Sequence, residues 1–190
     1  RLAFALSQIF VTSADLRFFP EYRQTTAASY YDMLTNGAFG SYRALLEDVT
    51  FHPYMGMYLN TLRNQKESAS SIPDQNYARE VMQLFSIGLH ELNINGTVRR
   101  DNQGAPLSAY SNVDIEGLSR VFTGLGWDIN GNFFSDCGIR SHDVCNNKPM
   151  KSFPAFHSTQ EKRFLGLTIP LRSGVDNLSG MSGDLQQALN

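Results

Sequence analysis

Two groups of residues carry whatever acid–base or ligand chemistry this chain can do. The first lies on one stretch, 75–87, whose spacing predicts a helix. At about 100° per residue, Asn76, Arg79, Glu80 and Gln83 share an arc roughly 100° wide. Tyr77, Ala78, Val81, Met82, Leu84 and Phe85 share an opposing apolar arc roughly 160° wide. An amide, a guanidinium and a carboxylate on one stripe could line a polar cleft, with Glu80 as general acid/base or ligand and Arg79 holding an anionic group. The structural alternative, and the favoured one, is a buried polar network in which Arg79 and Glu80 pair or bind carbonyls of neighbouring loops. The second group is His157 with Lys162, which follow Phe153-Pro154-Ala155-Phe156. An imidazole there could shuttle a proton or bind a metal, and Lys162 could hold an anionic substrate. A histidine bonded to its own loop backbone is again the favoured alternative. Adjacency of Glu80 and His157 in space would shift the balance towards a functional site.

Other candidates are weaker. Trp127 in a Gly-rich turn could stack on a sugar ring, though a tryptophan plugging the core edge is the simpler account. His52, before Pro53, reads as a helix-start residue. His90 is expected to complement the dipole of the helix ending at Gly88. Cys137 and Cys145 sit close together in a polar loop with Asp136, Arg140, His142, Asp143 and Asn146. A disulfide is the favoured reading, ahead of two free thiols or a metal module using His142 and Asp143, because the spacing matches no known zinc pattern. No Gly-x-Ser-x-Gly elbow, phosphate-cradling loop, dinucleotide fingerprint or His-Glu-x-x-His occurs, so no cofactor and no metal are expected.

The elements that must position these residues are mostly helical. Arg1 to Ser13 is apolar nearly all round, as for a helix inside a bundle. Helices follow over Thr26 to Asn36, after Ser41 with Tyr42, Leu45, Leu46 and Val49 on one face, and from Pro53 to about Leu62. Residues 63–73 read as an exposed polar loop, and Asp74 as the cap of the helix carrying Glu80. Between Leu92 and Ser111, Asn95-Gly96 and Asn102-Gln103-Gly104 mark two turns of a small β-ribbon laid over the helices. Ser111 and Asp114 form a capping-box pair for a helix ending at Gly124, with Ile115, Leu118, Ser119 and Phe122 inward. The chain is then irregular from Trp127 to Lys151, with a strand over Lys162 to Ile169. The expected architecture is mainly α with a small β-ribbon insertion and long irregular loops. One domain is divided into a helical region over residues 1–91, the ribbon 92–111, a helix 112–124, irregular and β structure 125–170, a linker 171–183 and the start of a truncated helix 184–190. No internal repeat is evident along the chain.

Composition bounds the partners. The 190 residues carry a net charge of −2 and a pI near 6.1, with basic residues scattered, so there is no field to recruit nucleic acid. With 42% hydrophobic and 18% charged residues, 13 Phe and 8 Tyr, the chain supports a ring-rich globular core. No apolar run approaches the ~20 residues that span a bilayer. The chain reads as beginning and ending inside helices, as a portion of a longer protein would.

Several segments resemble the bacterial family known as domain of unknown function 1800. They are Arg1-Leu2-Ala3-Phe4-Ala5-Leu6 with Phe10-Val11-Thr12-Ser13; His52-Pro53-Tyr54-Met55 with Tyr58-Leu59; and Asn76-Tyr77-Ala78-Arg79-Glu80 with Gln83-Leu84-Phe85-Ser86-Ile87-Gly88. They continue as Leu92-Asn93, Gly96-Thr97, Tyr110-Ser111, Val121-Phe122-Thr123-Gly124, and His157-Ser158-Thr159 with Lys162 and Leu165-Gly166. Gly126, between Leu125 and Trp127, departs from the family pattern, which runs from Gly almost directly into Trp. The resemblance implies an exported, largely helical protein with further segments on both sides. It also implies a partner from an exported family similar to alkaline phosphatases and sulfatases, and it supplies no catalytic residues.

The reading favoured on sequence is therefore an exported structural or interaction protein of the bacterial envelope or extracellular space. The rival is a hydrolase or lyase acting on an extracellular polymer, with Glu80 and His157 as acid and base, and Arg79, Asn76, Lys162 and Trp127 as binding residues.

Overall fold

The computed structural model describes residues 1–13, 23–135, 137, 147–171 and 178–190. Seven α-helices lie among them: α1 (Leu2–Ile9), α2 (Arg23–Asn36), α3 (Tyr42–Phe51), α4 (Pro53–Tyr58), α5 (Asn76–Gln83), α6 (Asn112–Val121) and α7 (Leu178–Ala188). Two small antiparallel pairs accompany them, β1 (Leu125–Gly126) with β2 (Lys151–Ser152), and β3 (Lys162–Phe164) with β4 (Leu167–Ile169).

Local chemistry starts the helices where the residue types require. Ser41 accepts from the Ala44 N–H at the start of α3, and the His52 ring accepts from the Tyr54 N–H ahead of α4. Ser111 and Asp114 form the reciprocal capping box of α6, whose Ser111 N–H donates to Asp114 Oδ2 at 2.7 Å. Asp74 instead forms a turn, accepting from the Asn76 N–H at 2.8 Å, and Gln75 occupies the N-cap position without a side-chain cap.

One large core joins α2 to α6 with β3, β4 and α7 through Tyr30, Leu34, Val49, Met55, Tyr77, Met82, Phe85, Ile115, Phe122, Phe164, Ile169 and Leu185. At its centre the Tyr77 ring meets Phe122 edge-on at 4.8 Å, and its hydroxyl bonds Thr50 Oγ1 at 2.8 Å. α6 lies directly on β3 because residue 117 is glycine; a Cβ there would stand 1.9 Å from the Arg163 carbonyl oxygen. A separate aromatic group, with Phe133 stacked on Phe156 at 4.1 Å, pins the chain after Trp127 to the loop preceding His157.

Several helices are shorter than their hydrophobic spacing implies. α1 ends at Ile9, and Leu2, Phe4 and Ile9 are exposed, so this helix lies at an edge rather than inside the bundle. α4 stops at Tyr58 because Asn60 and Arg63 adopt left-handed backbone conformations. α5 stops at Gln83, and the chain winds irregularly to Gly88, whose N–H bonds the Met82 carbonyl; Leu84 is thereby exposed. Conversely, α7 begins at Leu178, within the stretch expected to be a linker, and Lys162 to Ile169 is a hairpin turning at Leu165-Gly166.

The ribbon has an internal repeat that was not expected from sequence. Gly88, Gly96 and Gly104 are eight residues apart and all have φ near +80°. Three backbone bonds close a ring at its centre: Glu91 N–H to Leu107 O (3.0 Å), Arg99 N–H to Glu91 O (2.8 Å) and Leu107 N–H to Arg99 O (2.9 Å). Each of the three short segments thus pairs with both others, through the bridges His90↔Ser108, Leu92↔Val98 and Arg100↔Pro106. This closure satisfies backbone groups that an isolated two-stranded ribbon would leave unpaired. The arms bury little; most side chains from Leu92 to Pro106 are exposed.

Candidate functional site

The two groups singled out in the sequence occupy different environments. His157, Lys162 and Asp184 are each 0% exposed and form one network. Asp184 Oδ2 lies 3.0 Å from His157 Nε2 and 2.9 Å from Lys162 Nζ. Lys162 also donates to the carbonyls of Ser158 (2.7 Å) and Gln160 (3.3 Å). The other imidazole nitrogen, Nδ1, is 2.9 Å from the Thr123 carbonyl and 3.2 Å from Thr123 Oγ1. Both ring nitrogens are therefore occupied by protein groups, and the three donors of the ammonium have three oxygen partners.

β3 supplies Lys162, the loop before it supplies His157, and α7 supplies Asp184. The network is the buried tie of α7 to the rest; at the surface Arg43 donates to Gln186 and Asn190, Gln186 donates to Glu47, and Leu185 enters the core. Gly124, at φ +79°, allows this closeness: a Cβ there would lie 2.9 Å from the His157 backbone nitrogen and from the Phe153 carbonyl oxygen. The cluster extends outwards through the Ser158 hydroxyl, which donates to Glu67 Oε1 at 2.9 Å, and through Arg120, which donates to the Glu161 carbonyl and to Glu116.

The polar stripe of α5 is different. Asn76 is exposed, and its backbone rather than its amide takes part in the start of the helix. Arg79 and Glu80 are half-buried, and their side chains make no hydrogen bond or ion pair among the described residues. The expected pairing of these two charges with adjacent loops is thus not what holds α5. That task falls to the apolar arc and to Asn64, a buried residue in the stretch expected to be an exposed loop. Asn64 Oδ1 accepts from the Asp74 N–H at 2.8 Å, and its Nδ2 donates to the carbonyls of Asp74 (3.1 Å) and Phe122 (3.4 Å). A polar loop sequence reads the same whether its amides face water or stitch the loop down, so nothing short of the fold exposes this residue.

No hydrogen bond or ion pair joins Glu80 to His157 among the described residues. Among the cavities of the described surface are three of about 680, 820 and 370 Å³, and none of these three is lined by His157, Lys162, Asp184 or Glu80. The smallest is lined by Arg79 and Gln83 of the stripe, together with His90 and Tyr110.

Trp127 is 2% exposed and packed among Met57, Leu62, Ile129 and Cys137, so it presents no open face for a sugar. His52 is a helix-start residue as expected; burial lowers its pKa from 6.5 to about 4, and a neutral ring is what its acceptance from the Tyr54 N–H requires. His90 does not sit on a helix end: α5 stops seven residues earlier, and His90 Nδ1 is buried with no hydrogen-bond partner. Cys137 is buried, whereas Cys145, His142 and Asp143 lie outside the described residues. Among the described residues no group of three His, Cys, Asp or Glu side chains could hold a metal ion. No helix is long and apolar enough to cross a membrane, again among the described residues.

Comparison with known proteins gives one result. The family model described as Protein of unknown function (DUF1800) matches residues 1–190. The chain belongs to this family. No curated protein and no solved structure matches it significantly. The family supplies no role for any residue, so the chemistry rests on the arrangement above. The histidine–aspartate–lysine cluster is built as a fastening, with every polar atom of the imidazole and ammonium engaged. The stripe on α5 keeps an arginine at a cavity. Asp184 was invisible as a partner in sequence: it is one acid at the start of the expected terminal helix, and only the docking of α7 brings it to His157.

Proposed function

We propose that this chain is a structural and interaction module of an exported bacterial protein, which contacts a partner protein through the three-armed ribbon. One observation carries this reading. The segment 84–94 exposes Leu84, Ile87, Leu89, Leu92 and Ile94, with Ile94 at a hairpin tip fully in solvent. Large apolar side chains concentrated on an exposed element whose segments are closed by backbone hydrogen bonds are what an association surface requires. The ring of backbone bonds makes that element rigid, so little ordering entropy opposes docking. The partner is envisaged as a folded exported protein with an apolar patch, of the alkaline-phosphatase- or sulfatase-like kind that the family resemblance implies.

The compartment is proposed to be the periplasm or the cell exterior, with Cys137 and Cys145 joined as a disulfide. Mass analysis after alkylation, with and without reduction, tests the pairing; two alkylated thiols in native, unreduced protein would refute it. The rival reading of Glu80 and His157 as acid and base has no supporting observation, because both imidazole nitrogens are engaged and none of the three cavities reaches either residue.

The test is affinity capture from a bacterial envelope with native protein and with Leu92→Asp and Ile94→Asp variants. Neither substitution removes a buried contact, so both proteins should fold with unchanged thermal stability yet lose the captured partner. Failure of native protein to retain a stoichiometric partner, or equal retention by the variants, would overturn the proposal.

A further inference from the structure

At the root of the ribbon, where α5 and the start of α6 meet its first and last segments, lies the cavity of about 370 Å³. Small-ligand sites begin at about this size. Among the residues lining it are Arg79, Gln83, His90 and Tyr110, and none of the lining residues is acidic. Each neighbouring carboxylate is either committed elsewhere or not paired with Arg79. Glu91 pairs with Arg99, and Asp114 accepts from Ser111 and from the Leu165 N–H. Glu116 pairs with Arg120, and Glu80, next to Arg79 in sequence, makes no ion pair with it. Two polar groups at the cavity lack a protein partner: the half-buried Arg79 guanidinium makes no hydrogen bond or ion pair among the described residues, and His90 Nδ1 is buried without one. The Tyr110 hydroxyl has only a long bond, 3.4 Å, to Gln83 Oε1.

We infer that this cavity is a binding site for a carboxylate. A carboxylate has two oxygens and only acceptor capacity. It complements a guanidinium fork, which donates two parallel N–H bonds, with a further donor from the Tyr110 hydroxyl and the His90 ring as part of the wall. A lysine at position 79 would supply charge without the fork. The site is independent of the apolar arms proposed to dock a partner, and it takes either a free small organic acid or the C-terminal carboxylate of a peptide.

The experiment is a nuclear magnetic resonance titration of the full chain with succinate and, separately, with triglycine and triglycine amide. The expected result is saturable shifts at the Arg79 side-chain N–H, His90 and Tyr110 with succinate, triglycine or both, and none with the amide. Succinate alone identifies a free-acid site, and triglycine alone a chain-terminus site. Arg79→Gln should weaken binding by roughly tenfold or more, as loss of a charged hydrogen-bonding partner does, with Arg79→Lys recovering only part of it. His90→Phe gives a second variant should Arg79→Gln fold poorly, and it should also bind more weakly. Ile94→Asp should bind carboxylates like the native protein, which separates this site from the docking surface. Absence of shifts with both carboxylates, equal shifts with the amide, or undiminished binding by Arg79→Gln and His90→Phe would overturn the inference.

Discussion

Replacing Asp184 by Asn tests the buried network directly, because it changes one charge and almost no volume. The asparagine carbonyl can still accept from His157 Nε2, which is 3.0 Å from the carboxylate oxygen. What is lost is the negative charge 2.9 Å from Lys162 Nζ, at a site where both side chains are 0% exposed. The ammonium is then left with the Ser158 and Gln160 carbonyls, which bond it but do not neutralise it. Removing one partner of a buried pair in this way costs about 3–5 kcal/mol. Against a total of roughly 5–15 kcal/mol for a domain, that is a large share of the stability. Urea unfolding at pH 7 should show the unfolding free energy falling by this amount, read as a lower midpoint with little change in slope. In a scan it corresponds to a drop of roughly 6–20 °C for a chain of this length. The double variant Lys162→Met/Asp184→Asn removes both charges and keeps the His157 bond, so its loss should be clearly smaller than the sum of the two single losses. An Asp184→Asn protein within about 1 kcal/mol of the native one, or strictly additive single and double variants, would refute the view that this pair fastens α7.

Three further outcomes are expected. Gly117→Ala should destabilise by about 3 kcal/mol or more, since the new Cβ would overlap the Arg163 carbonyl and separate α6 from β3; unchanged urea stability would contradict that packing. Ser111→Ala should cost about 1 kcal/mol through loss of the capping box, and thermal scans check it. His52, whose folded pKa is lowered to about 4, lets the unfolded chain bind a proton that the folded chain refuses. Its contribution is therefore complete above the unfolded value near 6.5 and lost as pH falls towards 4, up to roughly 3 kcal/mol. The acid limb of a stability–pH curve should flatten in His52→Gln, and an unaltered limb would contradict the assignment.

What could be read without coordinates was whatever a few neighbouring residues decide. Ser41, His52 and the pair Ser111 and Asp114 begin helices because each bonds backbone within three residues of itself. Asn95-Gly96 and the turn ending at Gly104 were legible because a left-handed backbone selects glycine. The apolar arc of α5 placed Tyr77, Ala78, Val81, Met82 and Phe85 inside, as found. Helix ends were less legible: the arc continues to Leu84, but the irregular turn to Gly88 takes that side chain out to solvent. Periodicity reports which residues suit a helix, and tertiary packing decides how many of them stay in one.

The polar residues divide in the same way. The sequence singled out His157 and Lys162 but could not say whether they face a substrate or the protein. That depended on Asp184, separated from His157 by 27 positions and brought to it when α7 docks. Likewise Arg79 was readable as a candidate anion binder, yet only the meeting of α5, α6 and the ribbon leaves it at a cavity whose lining holds no acidic residue. Local bonding strength is written in local sequence. Burial and charge neutralisation are sums over segments distant along the chain, and only the folded chain brings those segments together.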